Sequence, residues 1–101
     1  MKKGNIFSKM KSISEYFRKN AEEDPLFKPE FLAAERINNI IETSDIFSRQ
    51  SANEMLEIIN DVDKVNHYNG TGWMDYKMHL NHFLKTNGIK VNWTKSGMFL
   101  K

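Results

Sequence analysis

Three residues with metal-ligating side chains lie close together in the last third of the sequence. Asp75, His79 and His82 are spaced four and three residues apart. On a helix this spacing puts two imidazoles and a carboxylate on one face, a donor set suited to Zn²⁺ or Fe²⁺, with His67 as a fourth ligand. That face lies opposite the apolar stripe of the same helix, where side chains meet solvent. We therefore expect exposed histidines, no metal site and no other cofactor.

No other pattern in the chain predicts catalysis. The absence of cysteine excludes a thiolate zinc site, a disulfide framework and a cysteine nucleophile. There is no Gly-x-Ser-x-Gly motif, and Gly70-Thr71-Gly72 lacks the Lys-Ser or Lys-Thr pair of a phosphate-binding loop. The paired acids are expected on helix ends and solvated helix faces rather than in a cleft. The sequence therefore predicts a protein that is not an enzyme and has no small-molecule substrate.

Aromatic and basic residues are interleaved near the end of the chain, where acidic residues are absent. Residues 76–101 carry five lysines and no carboxylate. Tryptophan is favoured at the energetic centre of protein interfaces, and lysines attract an acidic surface. The first functional prediction is therefore a protein partner, and this partner is expected to contact Lys90, Trp93, Lys95, Met98 and Phe99.

The charge distribution supports a second interpretation, in which the partner is a nucleic acid. The net charge of +2 divides into +5 for residues 1–19, −8 for residues 20–75 and +5 for residues 76–101. Two basic ends that meet on one surface would bind phosphates, and an aromatic ring among them would stack on a base. A third, purely structural interpretation is that the basic ends pack against the acidic middle. The residues predicted for the nucleic-acid alternative are Lys9, Lys11, Lys90, Trp93 and Lys95.

Four segments of the chain repeat apolar residues at helical spacing. The third is expected to begin with a capping box in which Ser51 and Glu54 exchange hydrogen bonds. The fourth is expected to end at Asn87-Gly88, because glycine readily adopts the left-handed conformation that follows a helix. Linkers are expected at 45–48 and 66–72. The predicted helices cover residues 6–22, 29–44, 51–65 and 73–87.

A different periodicity follows the fourth helix. Ile89, Val91 and Trp93 alternate with polar residues, which is typical of an extended strand. Because no second strand is predicted, this segment is expected to pack along the helices or to pair with another chain. A four-helix core has no evident need for it, which is the reason for predicting that it forms the binding surface.

These elements predict an all-α fold. We expect one helical domain over residues 1–101, a small bundle of about four short helices with a short extended C-terminal segment. The stripes of the four helices must share one core. The residues predicted for that core are Ile13, Phe17, Ile37, Ile40, Ile41, Met55, Ile59, Val62, Leu80, Phe83 and Leu84.

The beginning of the chain and its composition complete the prediction. Met1-Lys2-Lys3 is not followed by the apolar stretch of a secretory signal, and no apolar run approaches the ~18 residues of a membrane span. A cytoplasmic protein without membrane contact is therefore expected. The abundance of Asn, Ile and Lys, with 12 lysines beside three arginines, is typical of AT-rich coding sequence such as that of a phage or mobile element. The small size, the absence of catalytic signatures and the Met- and aromatic-bearing C-terminal segment predict a regulatory or inhibitory protein.

Overall fold

The computed structural model describes residues 4–43, 48–65 and 71–101, with Thr71 described by its backbone alone. Within these ranges the chain forms four α-helices and one two-stranded antiparallel sheet, so the predicted helical bundle with an extended C-terminal segment is confirmed. The elements are α1 (Gly4–Glu23), α2 (Lys28–Thr43), α3 (Arg49–Val65), α4 (Thr71–Thr86), β1 (Val91–Thr94) and β2 (Gly97–Leu100).

The helices run alternately up and down. Phe7 near the start of α1 contacts Phe83 near the end of α4, with ring centroids 6.3 Å apart. Phe17 near the end of α1 contacts Trp73 near the start of α4, with centroids 6.1 Å apart. α1 and α4 are therefore antiparallel neighbours. α1 also packs against α2, and α2 packs against α3.

The two strands complete the bundle between α3 and α4. β2 packs against α3, and β1 packs against α4. The two strands pair with each other, so they form a hairpin that covers the side of the bundle where α3 and α4 face one another. We call residues 90–101 the hairpin, since the Lys101 N–H donates to the Lys90 carbonyl beside the first strand pair. Its position shows that the core does use the C-terminal segment, contrary to the expectation that a four-helix core has no need for it.

The start of α3 differs from the prediction. The helix begins at Arg49, and Ser48 rather than Ser51 caps it. The Ser48 hydroxyl accepts a hydrogen bond from the Ser51 N–H at 3.1 Å, and the Ser48 carbonyl accepts from the Ala52 N–H at 3.0 Å. A serine side chain is suited to accept from the first turn of a helix at either position, and only the path of the preceding chain decides between them.

Two predicted linkers are described only in part. Of the segment 45–48, only Ser48 belongs to the described residues. Of the predicted loop at 66–72, the residues before Thr71 lie outside them, and Thr71 with Gly72 forms the first turn of α4 instead. Gly72 packs closely on α1, since a Cβ atom there would lie 3.0 Å from the Phe17 ring.

The prediction that the fourth helix ends at Asn87-Gly88 is confirmed. Gly88 has φ +81°, and its N–H donates to the Lys85 carbonyl at 3.0 Å. The Ile89 N–H donates to the Leu84 carbonyl at 2.9 Å, which completes a Schellman motif. Ile89 and Leu84 are both buried, so this cap also sends the chain back along the bundle toward β1.

The predicted core is confirmed with two refinements. Of the predicted residues, only Ile13 and Ile40 are partly buried, and both pack against the rest. The structure adds an aromatic group in which Trp73 and Tyr76 stack with ring centroids 6.0 Å apart. Within the described ranges, no helix has both the length and the apolar character required to cross a bilayer.

Candidate functional site on the C-terminal hairpin

The extended segment predicted to lack a strand partner has one within the same chain. β1 and β2 pair in antiparallel register, with Val91 opposite Leu100 and Trp93 opposite Met98. The expectation of a lone strand is therefore wrong. The apolar alternation that identified β1 does not continue clearly in β2, whose sequence Gly-Met-Phe-Leu has three large apolar residues in a row.

A two-residue turn connects the strands. Thr94 and Gly97 form the last pair before Lys95-Ser96, and the Thr94 hydroxyl accepts from the Ser96 N–H at 3.1 Å. Gly97 has φ +139°, a conformation that residues with a side chain rarely adopt. A Cβ atom at this position would also lie 2.6 Å from Asn60 Oδ1. The turn therefore brings the backbone of β2 against α3.

Asn60 of α3 fastens the hairpin to the bundle. The Met98 N–H donates to Asn60 Oδ1 at 2.9 Å, and Asn60 Nδ2 donates to the Met98 carbonyl at 3.0 Å. Alternate residues of an edge strand direct their backbone groups away from the neighbouring strand. The Asn60 amide satisfies these groups as an adjacent strand would, which fixes the hairpin on α3.

The two faces of the hairpin have different environments. Met98 is fully buried, and its neighbours on that face, Val91 and Leu100, pack against the core. The opposite face carries Phe99, which is 45% exposed, and the exposed Asn92 opposite it. The prediction that Met98 contacts a partner is therefore corrected: Met98 is a core residue, because the strand alternation turns it inward while Phe99 points outward.

Trp93 lies on the Met98 side of β1, at the edge of the hairpin. It is 36% exposed, and the Lys77 ammonium lies 5.7 Å from its ring centroid. Since Trp93 and Phe99 belong to opposite faces, the structure does not bring these two aromatic residues onto one flat surface. Phe99 is the aromatic residue of the outward face.

A buried ion pair lies beneath Trp93. Lys77 is only 4% exposed, and its ammonium lies 3.2 Å from Asp63 Oδ2 of α3. The other carboxylate oxygen, Asp63 Oδ1, accepts from Trp73 Nε1–H at 2.8 Å. A buried ammonium is tolerated only when it is paired in this way. Here a lysine of the basic C-terminal segment pairs with an acid of the middle segment.

The predicted lysines of the hairpin lie at its two ends. Lys90 precedes β1 and lines a surface depression of about 430 Å³ together with Lys85 and Lys101. Lys95 lies in the turn and lines a separate depression that includes Lys77. Within the described residues, no Asp or Glu side chain lines the depression at Lys90. Three lysines line it, and Arg49 donates to the Lys101 carbonyl oxygen at 3.0 Å.

The two lysines predicted on the first helix belong to a different element from the hairpin. Lys9 and Lys11 are exposed on α1, and the Lys11 ammonium lies 4.9 Å from the centroid of the Phe7 ring. Neither of them lines the two depressions at the hairpin. The basic residues of the nucleic-acid alternative thus lie on different elements, Lys9 and Lys11 on α1, Lys90 before β1 and Lys95 in the turn.

The histidine face of α4 is partly solvent-exposed. His79 Nδ1 lies 2.8 Å from the Asp75 carbonyl oxygen and 3.3 Å from its carboxylate, and His82 is exposed. In the part of the chain that the structure describes, no three His, Asp or Glu side chains are grouped as ligands of one ion. His67 lies outside the described residues.

Sequence reasoning missed Asn60, Asp63 and Lys77, the residues that join the hairpin to α3 and α4. One signal for Lys77 was present. It continues the apolar stripe of α4, which runs from Trp73 to Leu80 at helical spacing, and a lysine in such a position is either buried or at a boundary. No local signal distinguishes Asn60 and Asp63 from other polar residues of α3.

The chain was compared with protein-family models, with curated proteins and with solved structures, and no match was found. The functional argument therefore rests on the geometry of the site.

Proposed function

We propose that the chain is a small non-enzymatic regulatory or inhibitory protein of the cytoplasm, which acts by binding a protein partner. The contact is made by the outward face of the hairpin, which we define as Lys90, Asn92, Phe99 and Lys101. The single observation that carries the proposal is Phe99, a large aromatic side chain that is 45% exposed on a fixed strand.

The support comes from the rigidity of this face. Asn60 holds the backbone of β2 on α3 by two hydrogen bonds, and Met98 anchors the same strand in the core. A side chain presented from such a strand loses little backbone freedom when it binds. When an exposed aromatic ring on such an ordered surface contacts a partner, its apolar area is removed from water, which favours binding.

The charge of this face supports the proposal of an acidic partner. Lys90 and Lys101 are adjacent, since the Lys101 N–H donates to the Lys90 carbonyl at 3.2 Å, and Lys85 lines the same depression. Within the described residues, no Asp or Glu side chain lines this depression. A protein surface that is acidic and has an apolar pocket for Phe99 would complement this face in both charge and shape.

Site-specific photocrosslinking tests the proposal. A photoreactive phenylalanine analogue replaces Phe99 in one variant and Tyr16 in the control variant, since Tyr16 is 57% exposed on α1. In extracts of the source organism, the residue-99 variant is expected to form a discrete adduct with an acidic protein. That adduct should resist nuclease and disappear when Lys90 and Lys101 are replaced by Gln. Equal adducts from both positions, or none from position 99, contradict the proposal.

The cationic depression favours nucleic acid as the second candidate. Lys85, Lys90 and Lys101 are suitably placed for phosphate contacts, with Phe99 beside them for stacking. Fluorescence anisotropy with single- and double-stranded oligonucleotides at several salt concentrations separates the candidates. If nucleic acid is the partner, replacing Lys90 and Lys101 by Gln should reduce the salt slope by about 0.7–0.9 for each lost phosphate contact. A protein-binding chain should show neither appreciable affinity for these oligonucleotides nor this change in slope.

A further inference from the structure

A second depression, separate from the outward face, lies at the turn end of the hairpin. It has a volume of about 240 Å³ and lies where the turn meets the end of α3 and the first half of α4. We call it the turn pocket. The side chains relevant to its chemistry are Asp63, Lys64, Lys77, Trp93, Lys95 and Ser96.

The turn pocket has an excess of positive charge. Three lysines and one aspartate are among its lining residues, which leaves a surplus of two positive charges. Both oxygens of Asp63 are engaged, one by the Lys77 ammonium and the other by Trp73 Nε1–H. The carboxylate therefore neutralises Lys77 and has little capacity to neutralise Lys64 or Lys95.

Lys64 lies at the end of α3 and Lys95 in the hairpin turn, so the two lysines reach the pocket from different elements. Among the described residues, neither forms an ion pair within 4.0 Å. The segment 66–70, which follows α3 and lies outside the described residues, contains no Asp or Glu. Within the described residues, no ion pair engages the ammonium of Lys64 or Lys95, so both can bind a ligand.

We propose that the turn pocket binds a phosphate group. A phosphate monoester or inorganic phosphate carries nearly two negative charges at neutral pH, which matches the surplus of two positive charges. Lys64 and Lys95 bind its oxygens from two sides as point charges. The Ser96 hydroxyl is a further donor, and Lys77 has N–H groups beyond the one directed at Asp63.

Trp93 provides the remaining wall of the turn pocket. Its ring is partly exposed, and the Lys77 ammonium against its face holds it in place. A flat group attached to the phosphate would lie against this ring. The pocket therefore accepts phosphate from two sources, the free ion or the phosphoryl group of a mononucleotide, which share the same anionic chemistry.

Calorimetric titration of the full chain tests the proposal, with inorganic phosphate in one arm and a nucleoside monophosphate in the other. Saturable binding of either is expected, and Trp93 fluorescence should change with it. Equal affinities in the two arms identify the free ion as the ligand, and tighter binding of the mononucleotide identifies the phosphoryl group carried on a nucleoside.

Matched lysine variants locate the binding. Replacing Lys64 or Lys95 by Gln should weaken binding by about tenfold each, because each change removes a charge-assisted contact. The control is Lys19→Gln, which removes an exposed lysine of α1 and should leave the affinity unchanged. The proposal is overturned if neither ligand binds saturably, or if Lys19→Gln weakens binding as much as Lys95→Gln does.

Discussion

The two sides of α4 are held to their neighbours by different kinds of interaction. On the α1 side, aromatic rings pack directly against each other, as Phe7 does on Phe83 and Phe17 on Trp73. On the α3 side, the hairpin intervenes, and hydrogen bonds from Asn60 and the ion pair of Asp63 join the elements. We call these the aromatic seam and the polar seam.

The difference between the two seams shows that one small bundle uses non-directional packing for stability and directional hydrogen bonds to fix the position of an element. Apolar contacts are non-directional, so the aromatic seam contributes most of its stability through buried area and close packing. Hydrogen bonds require one geometry, and a buried group that loses its partner is destabilising. The polar seam therefore determines where the hairpin sits, which in turn orients Phe99 and the turn pocket.

The largest effect is expected in the aromatic seam. Phe83→Ala removes a ring that is 1% exposed and should lower the free energy of unfolding by about 3–5 kcal/mol, measured by urea denaturation. Phe99→Ala is the matched control, because this ring is on the surface, and it should change stability by at most about 0.5 kcal/mol. Equal effects at both positions would mean that the seam is not closely packed.

The next effect tests the ion pair of the polar seam. Asp63→Asn leaves the Lys77 ammonium buried without its counter-charge. The expected loss is near the low end of the about 3–5 kcal/mol typical of a broken buried pair, since Asp63 is 26% exposed. Adding Lys77→Met removes the stranded charge, so the double variant should be more stable than Asp63→Asn alone. A double variant that is less stable would show that Lys77 has other essential partners.

Asn60→Ala should have a smaller effect that is confined to the hairpin. It leaves the Met98 N–H and carbonyl without their partner, which should cost about 1–3 kcal/mol. Amide hydrogen exchange should accelerate in β2 much more than in α1. Asn53→Ala is the control, because Asn53 is exposed on the same helix and its side chain donates to Glu57 one turn along it. Uniform acceleration across the chain would contradict a local role for Asn60.

The smallest effect concerns Tyr76, beside the aromatic seam. Its hydroxyl donates to Asn38 Oδ1 at 2.8 Å, so Tyr76→Phe should cost about 1 kcal/mol near neutral pH. Burial, and secondarily the charge of Glu35, raises the pKa of Tyr76 well above its usual value of 10.0. The folded chain therefore keeps a proton that the unfolded chain loses as the pH rises above about 10, and stability decreases there.

The difference in unfolding free energy between the wild type and Tyr76→Phe, measured as a function of pH, isolates the contribution of the Tyr76 hydroxyl. Lysine titration affects the wild type and Tyr76→Phe alike, so it cancels when their unfolding free energies are subtracted. The advantage of the wild type should be fully present below about pH 10 and should shrink as the pH rises toward the folded-state pKa. A difference that stays constant across this range would contradict the burial of the hydroxyl.

The sequence by itself determined the four helices, most of the core and the stop at Gly88, because each depends on neighbours within a few residues. Apolar periodicity places one face of each helix inward, and a glycine after a helix ends it wherever the rest of the chain lies. The aromatic seam follows from such stripes. The starts of α3 and α4 departed from local expectation: two serines compete for the cap of α3, and Thr71 with Gly72 belongs to α4 rather than to the preceding loop.

The polar seam was decided by the tertiary structure alone. Asn60 and Met98 are 38 positions apart, and their hydrogen bonds exist only once α3 and the hairpin are adjacent. The same adjacency turned Met98 inward, left Phe99 outside and gave Lys77 a carboxylate in the interior. Hydrogen bonds between distant residues leave no periodic pattern in a sequence. A polar side chain can bond to water or to a buried partner, and only the fold decides which of the two is near it.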